Sequence, residues 1–289
     1  MKVTEVSDRS ESKAVASVRR VVAAPLNVLD VLGNQGLFYG KAVGSVPATV
    51  RRYKREILRL IAEMGAGAGA LAFIGGSAVI VGSITFFAGA VAAAQGFESS
   101  SNIGVGSLSP LLAAYFTSRL STPLLAGVAL AVTIGAATTS QIGSMRISEE
   151  IDALEVMSVP SMRYLVTTRI LAGLVVITPL YIFGSLAGFL ADYLILVFFY
   201  DTGAGNFSHY FFLYLSPLDI LFAYIQVVAM VVLVMAVHTY YGYTASGGPA
   251  GVGEAVGRSV RSSLSGVMIV NLLVAMALYA NFNTFHLAG

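Results

Sequence analysis

Five stretches of this chain are long and apolar enough to cross a lipid bilayer as helices, at roughly residues 66–95, 121–144, 166–198, 218–241 and 263–285. A helix needs about 20 apolar residues to span the hydrocarbon. Lipid offers no partner to exposed backbone polar groups, so neither an open sheet nor irregular chain can occupy that layer. The sequence therefore predicts an all-α integral membrane protein with about five transmembrane helices.

The charged residues are scarce and unevenly placed, which supports this class. They make up 11% of the chain, whereas soluble domains carry about 25%. Between Met64 and Met145 the only charged residues are Glu98 and Arg119, and none follows Arg261. The spans are also rich in Gly and Ala, and small residues let helices approach closely in lipid.

Residues 104–118 are a possible sixth span, and the distribution of Lys and Arg decides how we place them. With five spans, 16 of the 17 Lys and Arg residues fall on one side of the membrane, which the positive-inside rule makes cytoplasmic. A sixth span would move Arg146, Arg163 and Arg169 outside. We therefore predict a re-entrant or short interfacial helix at 104–118 on the outer side, a cytoplasmic N-terminus and an outer C-terminus.

The region before the first span is strongly basic. Residues 1–12 are predicted to be a disordered cytoplasmic tail, and residues 13–63 to form basic amphipathic helices lying on the anionic inner leaflet. A nucleic-acid interface has the same charge signature, but this segment runs directly into a membrane span. With no apolar core in the first twenty residues, the first span is expected to serve as the insertion signal. Residues 64–289 form the membrane domain.

An acidic amphipathic segment, MRISEEIDALEVMSVP at 145–160, separates the second and third spans. With Ser148 as N-cap, we predict a cytoplasmic helix over 148–158 that Pro160 ends. Glu149, Asp152 and Glu155 share one arc, and Ile151, Leu154 and Met157 lie opposite. A solvated loop helix is the simplest interpretation. Anionic lipid repels an acidic helix, however, so its acidic face suits a basic groove in a protein partner.

This acidic segment and several other motifs of the sequence resemble those of a known family. EEIDALEVMSVPSMRYLVTTRILAG is similar to the signature region of YrbE/MlaE-type permeases, the membrane subunits of ABC lipid transporters that work with MCE-domain proteins. Gln95-Gly96-Phe97 resembles the family's QGY, Arg119–Pro123 its RELGP, and 139–145 and 241–257 further family segments. The resemblance covers roughly residues 30–285 and looks closest to the B-type permease of the actinobacterial, Mce-operon branch. The Glu of RELGP is Leu120 here, so only Arg119 carries over, and a paired permease could supply the missing carboxylate.

The resemblance implies a permease subunit that is not an enzyme, with no catalytic residue, metal or cofactor of its own. ATP and Mg²⁺ would be held by a separate dimer of ABC ATPase subunits. Further implied partners are a paralogous permease or a second copy, MCE proteins on the outer face, and a fatty acid, mycolic-acid-like lipid or sterol, imported across the inner (plasma) membrane. The expected ATPase-coupling residues are Glu149, Glu150, Asp152, Leu154, Glu155 and Met157. The expected substrate-pathway residues are Phe97, Tyr115, Arg119 and Pro123.

Other polar residues in or near the spans have simpler expected roles. Asp192 is expected to reach the water among the lipid headgroups and not to act in a proton relay. Asp219, Asp201 and His209 are expected to face solvent or an outer partner. His238 is expected to be hydrogen-bonded within the bundle. Pro179 is expected to kink or loosen the third span.

The residues also bear on three rival functions. An intramembrane enzyme would need two carboxylates meeting at one depth or an HExxH-like cluster, and the sequence contains neither pattern. An ion-coupled carrier usually has inverted repeats, which five spans do not form. A scaffold that anchors MCE proteins without forming the lipid path stays open, and so does the carrier. A dependence of transport on ATP hydrolysis or on an ion gradient would separate the ABC permease from the carrier.

Overall fold

The computed structural model describes residues 33, 35–66 and 76–279, and it contains helices and no strand within these ranges. The chain divides into two units, Met1–Ser45 and Val46–Gly289. In the first unit, residues 35–44 are helical. The predicted all-α class is confirmed. The predicted disordered tail at 1–12 lies outside the described residues.

The second unit contains nine helices within its described residues, several of them joined end to end from shorter helical pieces. Their bounds are α1 (Val46–Arg52), α2 (Lys54–Ala66), α3 (Ser77–Asn102), α4 (Gly106–Ile147), α5 (Glu150–Val156), α6 (Met162–Phe199), α7 (Ala204–Tyr214), α8 (Pro217–Tyr243) and α9 (Gly248–Tyr279).

Five of these helices, α3, α4, α6, α8 and α9, are long and apolar enough to cross a membrane. The predicted number of spans is therefore confirmed. The short helix α5 precedes α6 and the short helix α7 follows it, so the two lie at opposite ends of the bundle. We call these ends the α5 end and the α7 end.

Helix α4 differs from the prediction of a short outer helix followed by a separate span. Residues 106–147 form one continuous helix of 42 residues, about 63 Å if straight, which is twice the thickness of the hydrocarbon. The helix passes Arg119 and Pro123 through a wide π-helical turn over Phe116–Ser121. A proline has no N–H and clashes with the carbonyl of an ordinary preceding turn. The wider turn relieves that clash, so the proline does not end the helix.

The apolar core lies where α4, α6 and α8 pack together. It is built largely from buried aliphatic and methionine side chains, among them Leu130, Ile134, Val176, Ile177, Met230 and Met235. In lipid such helices associate by close packing more than by exclusion of water. Gly89 of α3 and Gly188 of α6 show this most directly, because a Cβ atom at Gly89 would lie 2.6 Å from the carbonyl oxygen of Gly188.

Helix α2 packs against the bundle along one face. It therefore contacts protein as well as any membrane surface. Leu60 is buried, and Ile61 and Met64 pack against the apolar core. Gln141 of α4 donates to Glu63 Oε1 at 3.0 Å. Arg59 pairs with Glu56 at 2.6 Å, and this hydrogen bond holds the pKa of the Glu56 carboxyl below its usual value.

The opposite face of this region keeps the predicted basic character. Arg51, Arg52, Lys54 and Arg55 are all exposed. Their attraction to anionic lipid stays a prediction.

Candidate functional site

The short helix α5 is set off from its neighbours by a left-handed residue at each end. Glu149, its N-cap, has φ 62° and makes no side-chain cap. Ser158 also has φ 62°, and Val159 N donates to Leu154 O at 2.9 Å while Ser158 N donates to Glu155 O at 2.9 Å. This pair of bonds is a Schellman ending, which closes the helix after Val156, four residues before Pro160.

The predicted helix of 148–158 is therefore too long at both ends. Ser148 is not its N-cap, because the Ser148 backbone N–H completes the last turn of α4 by bonding to Ser144 O at 3.0 Å. The Ser148 hydroxyl bonds to Ser144 O and to Glu150 Oε1. The chain reverses at Glu149, and α5 begins at Glu150.

One face of α5 anchors the helix to the bundle. Ile151 is fully buried in a cluster with Ile142 of α4 and Leu165 of α6, and Leu154 packs against the same cluster. Ile151 and Leu154 thus share a face, as predicted. Leu154, expected to contact a partner, points toward the protein interior instead.

The outward face of α5 is apolar as well as acidic. Val156 is 86% exposed and Met157 65% exposed. Met157 was predicted to lie with Ile151 and Leu154. It turns outward because the helix has already ended at Val156, and Met157 is the C-cap.

Besides Glu150, which accepts from Ser148, two of the predicted acidic contact residues have partners within the chain. Arg146 Nη1 lies 2.8 Å from Asp152 Oδ1. Ser161 Oγ donates to Glu155 Oε1 at 2.6 Å, and Tyr243 at the end of α8 donates to the same oxygen at 3.5 Å. These bonds tie α5 to the ends of α4, α6 and α8. Glu149 and Glu150 are exposed.

At the α7 end, Arg119 forms a buried ion pair with Asp219, the third residue of α8. Arg119 Nη2 and Nε lie 2.5 and 3.2 Å from Asp219 Oδ1, and both side chains are almost fully buried. Ser216 caps α8 by accepting from Asp219 N at 3.2 Å, and its hydroxyl donates to Asp219 Oδ2 at 2.8 Å. The carboxylate is therefore held by two neighbours.

The expectation that Asp219 faces solvent is wrong. Its carboxylate turns inward because the guanidinium of Arg119 lies there, and a buried charge is tolerated only when paired. Asp219 is also an intrachain carboxylate partner for Arg119, the role for which the sequence argument looked to a second permease.

Three tyrosine rings surround the Arg119 guanidinium. Its Cζ atom lies 5.6 Å from the ring centre of Tyr115, 5.2 Å from that of Tyr214 and 4.4 Å from that of Tyr279. Cations are attracted to such ring faces. Burial raises the pKa of the Tyr214 hydroxyl. The hydroxyls of Tyr214 and Tyr279 are buried with no hydrogen-bond partner among the described residues. The arrangement is a buried ion pair surrounded by tyrosine rings, with two spare hydroxyl donors, at the α7 end of α4, α8 and α9.

The other predicted pathway residues lie close to this end but in different contacts. Tyr115 packs edge-on against Tyr214 with ring centres 5.6 Å apart. Phe97 of α3 stacks on Tyr200 at 4.1 Å, away from the ion pair. Pro123 is buried within α4.

The sequence predicts that the lipid is held in an apolar cavity lined by the first span, residues 97–123 and the fourth and fifth spans. Two cavities among the described residues have other linings. One, of about 330 Å³, is lined by residues of α2, α3 and α4, including Leu60, Met64 and Ile134. The other is an open groove of about 350 Å³ between α3 and α6, lined by Phe86, Phe87 and Phe183. Neither is lined by α8 or α9.

Two further buried polar residues were singled out from sequence. His238 is confirmed as a hydrogen-bonded residue of the bundle. Its Nδ1 lies 2.8 Å from Thr139 Oγ1 and its Nε2 lies 3.0 Å from Ser263 Oγ. Asp192 was expected to reach headgroup water, and this is wrong, since its side chain is fully buried between α6 and α4. Asp201 and His209 are exposed, as predicted.

Comparison with known proteins places the sequence in a family. The family model described as Permease MlaE matches residues 68–277. The chain belongs to the MlaE permease family. A probable ABC transporter permease protein of Rickettsia bellii is 28% identical over 250 residues, covering 86% of this chain and 96% of the relative. A second, from Rickettsia prowazekii, is 31% identical over 206 residues, covering 71% of this chain and 79% of the relative.

A plant relative also matches part of the chain. The protein TRIGALACTOSYLDIACYLGLYCEROL 1, chloroplastic, of Arabidopsis thaliana is 27% identical over 169 residues, covering 58% of this chain and 48% of the relative. As an MlaE-family permease with five membrane-length helices, the chain is a multi-pass ABC transporter permease. The resemblance drawn from sequence is confirmed at the level of the MlaE family.

Proposed function

We propose that this chain is the B-type permease of an actinobacterial, MCE-associated ABC transporter that imports a lipid across the inner (plasma) membrane. It would pair with a paralogous permease or a second copy, bind a dimer of ABC ATPase subunits that hold ATP and Mg²⁺, and contact MCE proteins on the outer face. The observation that carries the proposal is α5, a helix anchored on its inner face and exposed on an outer face that is apolar and acidic.

In this proposal α5 transmits the motion of the ATPase. The Ile151 side chain of α5 is buried between α4 and α6. Asp152 and Glu155 bind Arg146 and Ser161. A push on α5 therefore moves the near ends of α4 and α6 together. The contact surface would be Val156 and Met157 with Glu149 and Glu150, because these side chains are exposed.

The lipid would be handled at the opposite end of the same helices. Arg119 and the tyrosines around it lie at the α7 end of α4, α8 and α9. The spare tyrosine hydroxyls beside the ion pair are donors that suit an anionic or hydroxylated lipid headgroup, which accepts hydrogen bonds. The acyl part would lie in an apolar space between two permeases. The direction of import and the cytoplasmic position of α5 are part of the proposal.

The test replaces the most exposed apolar residue of α5 by a charge. Val156→Asp should abolish co-purification of the ATPase and remove the permease-stimulated ATP hydrolysis, because it places an uncompensated charge at the centre of the contact. Ile103→Asp is the matched control, since Ile103 is an exposed apolar residue, 75% accessible, at the α7 end. Undiminished ATPase recovery with Val156→Asp would refute the role of α5. Lipid uptake that continued without ATP hydrolysis but needed an ion gradient would favour a carrier.

A further inference from the structure

The carboxyl group of Asp192 lies at the contact of α6 with the wide turn of α4. The residue is fully buried, with 0% of its surface exposed. Its Oδ1 accepts a hydrogen bond from Thr117 Oγ1 at 3.2 Å. Its Oδ2 is buried and has no hydrogen-bond partner among the described residues. One oxygen of the group is therefore satisfied, and the other is enclosed by protein without a donor.

Close packing of the helices explains why this site is sealed. A Cβ atom at Gly188, one turn before Asp192, would lie 2.9 Å from Thr117 Cγ2 and 3.6 Å from Thr122 Oγ1. The Thr122 hydroxyl is likewise buried without a partner among the described residues. Two unsatisfied polar groups thus belong to the same helix contact, which is dense enough to exclude lipid headgroups.

The charged and titratable groups on the surrounding helices are engaged elsewhere. On α4, Arg119 pairs with Asp219 of α8 at 2.5 Å. On α3, Glu98 accepts a hydrogen bond from Tyr200 at 3.5 Å. On α7, His209 is exposed. Helix α6 itself carries no Lys or Arg after Arg169, at its other end.

We propose that Asp192 is a proton-binding residue, and that in this packing its carboxyl is the neutral acid with the proton on Oδ2. An ionised carboxylate enclosed in an apolar interior without a cation is very costly, whereas the neutral acid gives up little solvation. The hydrogen bond from Thr117 then falls on the carbonyl oxygen, Oδ1, which accepts without needing charge. The site needs no other ligand, and it is independent of the proposed transport cycle.

Proton binding at this position links protonation to the contact of α4 with α6. Loss of the proton to water leaves a carboxylate that needs solvent, so it requires the Thr117 turn to separate from α6. Packing of the turn excludes that solvent and retains the proton. The proton and the helix contact therefore stabilise each other.

Infrared spectroscopy of the full chain in lipid tests this directly, because a protonated carboxylic acid has a carbonyl band that a carboxylate lacks. At pH 7 the wild-type spectrum should contain one such band that Asp192→Asn loses completely. Glu98→Gln is the matched control and should keep it, because Glu98 is exposed. Thr117→Val should keep the band but shift it to higher frequency, since it removes the hydrogen bond to Oδ1.

Two results would overturn the proposal. One is an Asp192→Asn spectrum that loses a carboxylate band and no carbonyl band, which would mean that Asp192 is ionised and solvated. The other is a carbonyl band that Thr117→Val leaves unshifted. If Asp192→Asn does not fold, aspartate labelled with ¹³C at its carboxyl in wild-type protein identifies the band, and its shift in Thr117→Val assigns it to Asp192.

Discussion

Arg119 and Asp219 are the residues at which charge most affects stability. The pair is nearly fully buried, and removing one partner from such a pair leaves the other uncompensated. We expect Asp219→Asn to lower the free energy of unfolding by about 3–5 kcal/mol, measured by thermal or denaturant unfolding in detergent. The double variant Arg119→Met/Asp219→Leu should recover most of this loss, because apolar side chains of similar volume need no partner.

An exposed ion pair provides the control for that experiment. Arg146 and Asp152 are 39% and 59% exposed, so Asp152→Asn should cost no more than about 1 kcal/mol. A double variant no more stable than Asp219→Asn would show that the pair contributes more than charge compensation.

Arg119 could be predicted from the sequence, whereas its partner Asp219 and the burial of Asp192 could not. Arg119 was selected because it matches the arginine of the family's RELGP motif. Its partner was missed because Asp219 lies 100 positions away and stands at the start of a span, where an acidic residue usually meets water. Asp192 was misplaced for a related reason. Its burial depends on Gly188, which brings α4 close, and a helix contact of that kind leaves no local sequence signal.

At the scale of elements, α3 and α6 are held together by backbone contact at Gly89 and Gly188. A side chain at Gly89 would meet a carbonyl oxygen that cannot rotate away. Gly89→Ala should therefore destabilise the protein by about 1–3 kcal/mol, the usual cost of overpacking, measured by unfolding in detergent. Gly253→Ala in α9 has open space and should be neutral or stabilising by roughly 0.5–1 kcal/mol, as for alanine in a helix. Equal effects of the two substitutions would argue against the close approach.

The elements differ in how well the sequence predicts them. The five spans follow from composition, since length and apolarity alone decide them. The bounds of α5 did not follow, because they depend on Glu149 and Ser158 adopting left-handed backbone conformations that neither residue type favours. The short outer helix predicted at 104–118 instead continues into the second span, because the wide turn at Phe116–Ser121 lets the helix run past Pro123. The distribution of Lys and Arg, on which that prediction rested, bears on the number of crossings and not on where a helix ends.

At the scale of the whole molecule, the five spans place α5 and α7 on opposite faces of the membrane. The chain contains no cysteine, so single cysteines report their own side without background. With the proposed orientation, Ser208→Cys in α7 should react with a membrane-impermeant maleimide in intact cells. Met157→Cys beside α5 should react only after the membrane is opened. The reverse pattern would invert the proposed orientation, and reaction of both in intact cells would contradict the crossing of the membrane by α6.

The wide turns of α4 and α6 also bear on how related chains should be compared. Four are present in these two helices, at Phe116–Ser121, Ala131–Gly135, Met162–Thr167 and Leu194–Phe199. Each accommodates about one residue more than an α-helical turn. A relative with one residue fewer at such a place can keep every later side chain on its original face by closing the turn. We therefore expect single-residue gaps between relatives to collect at these four positions.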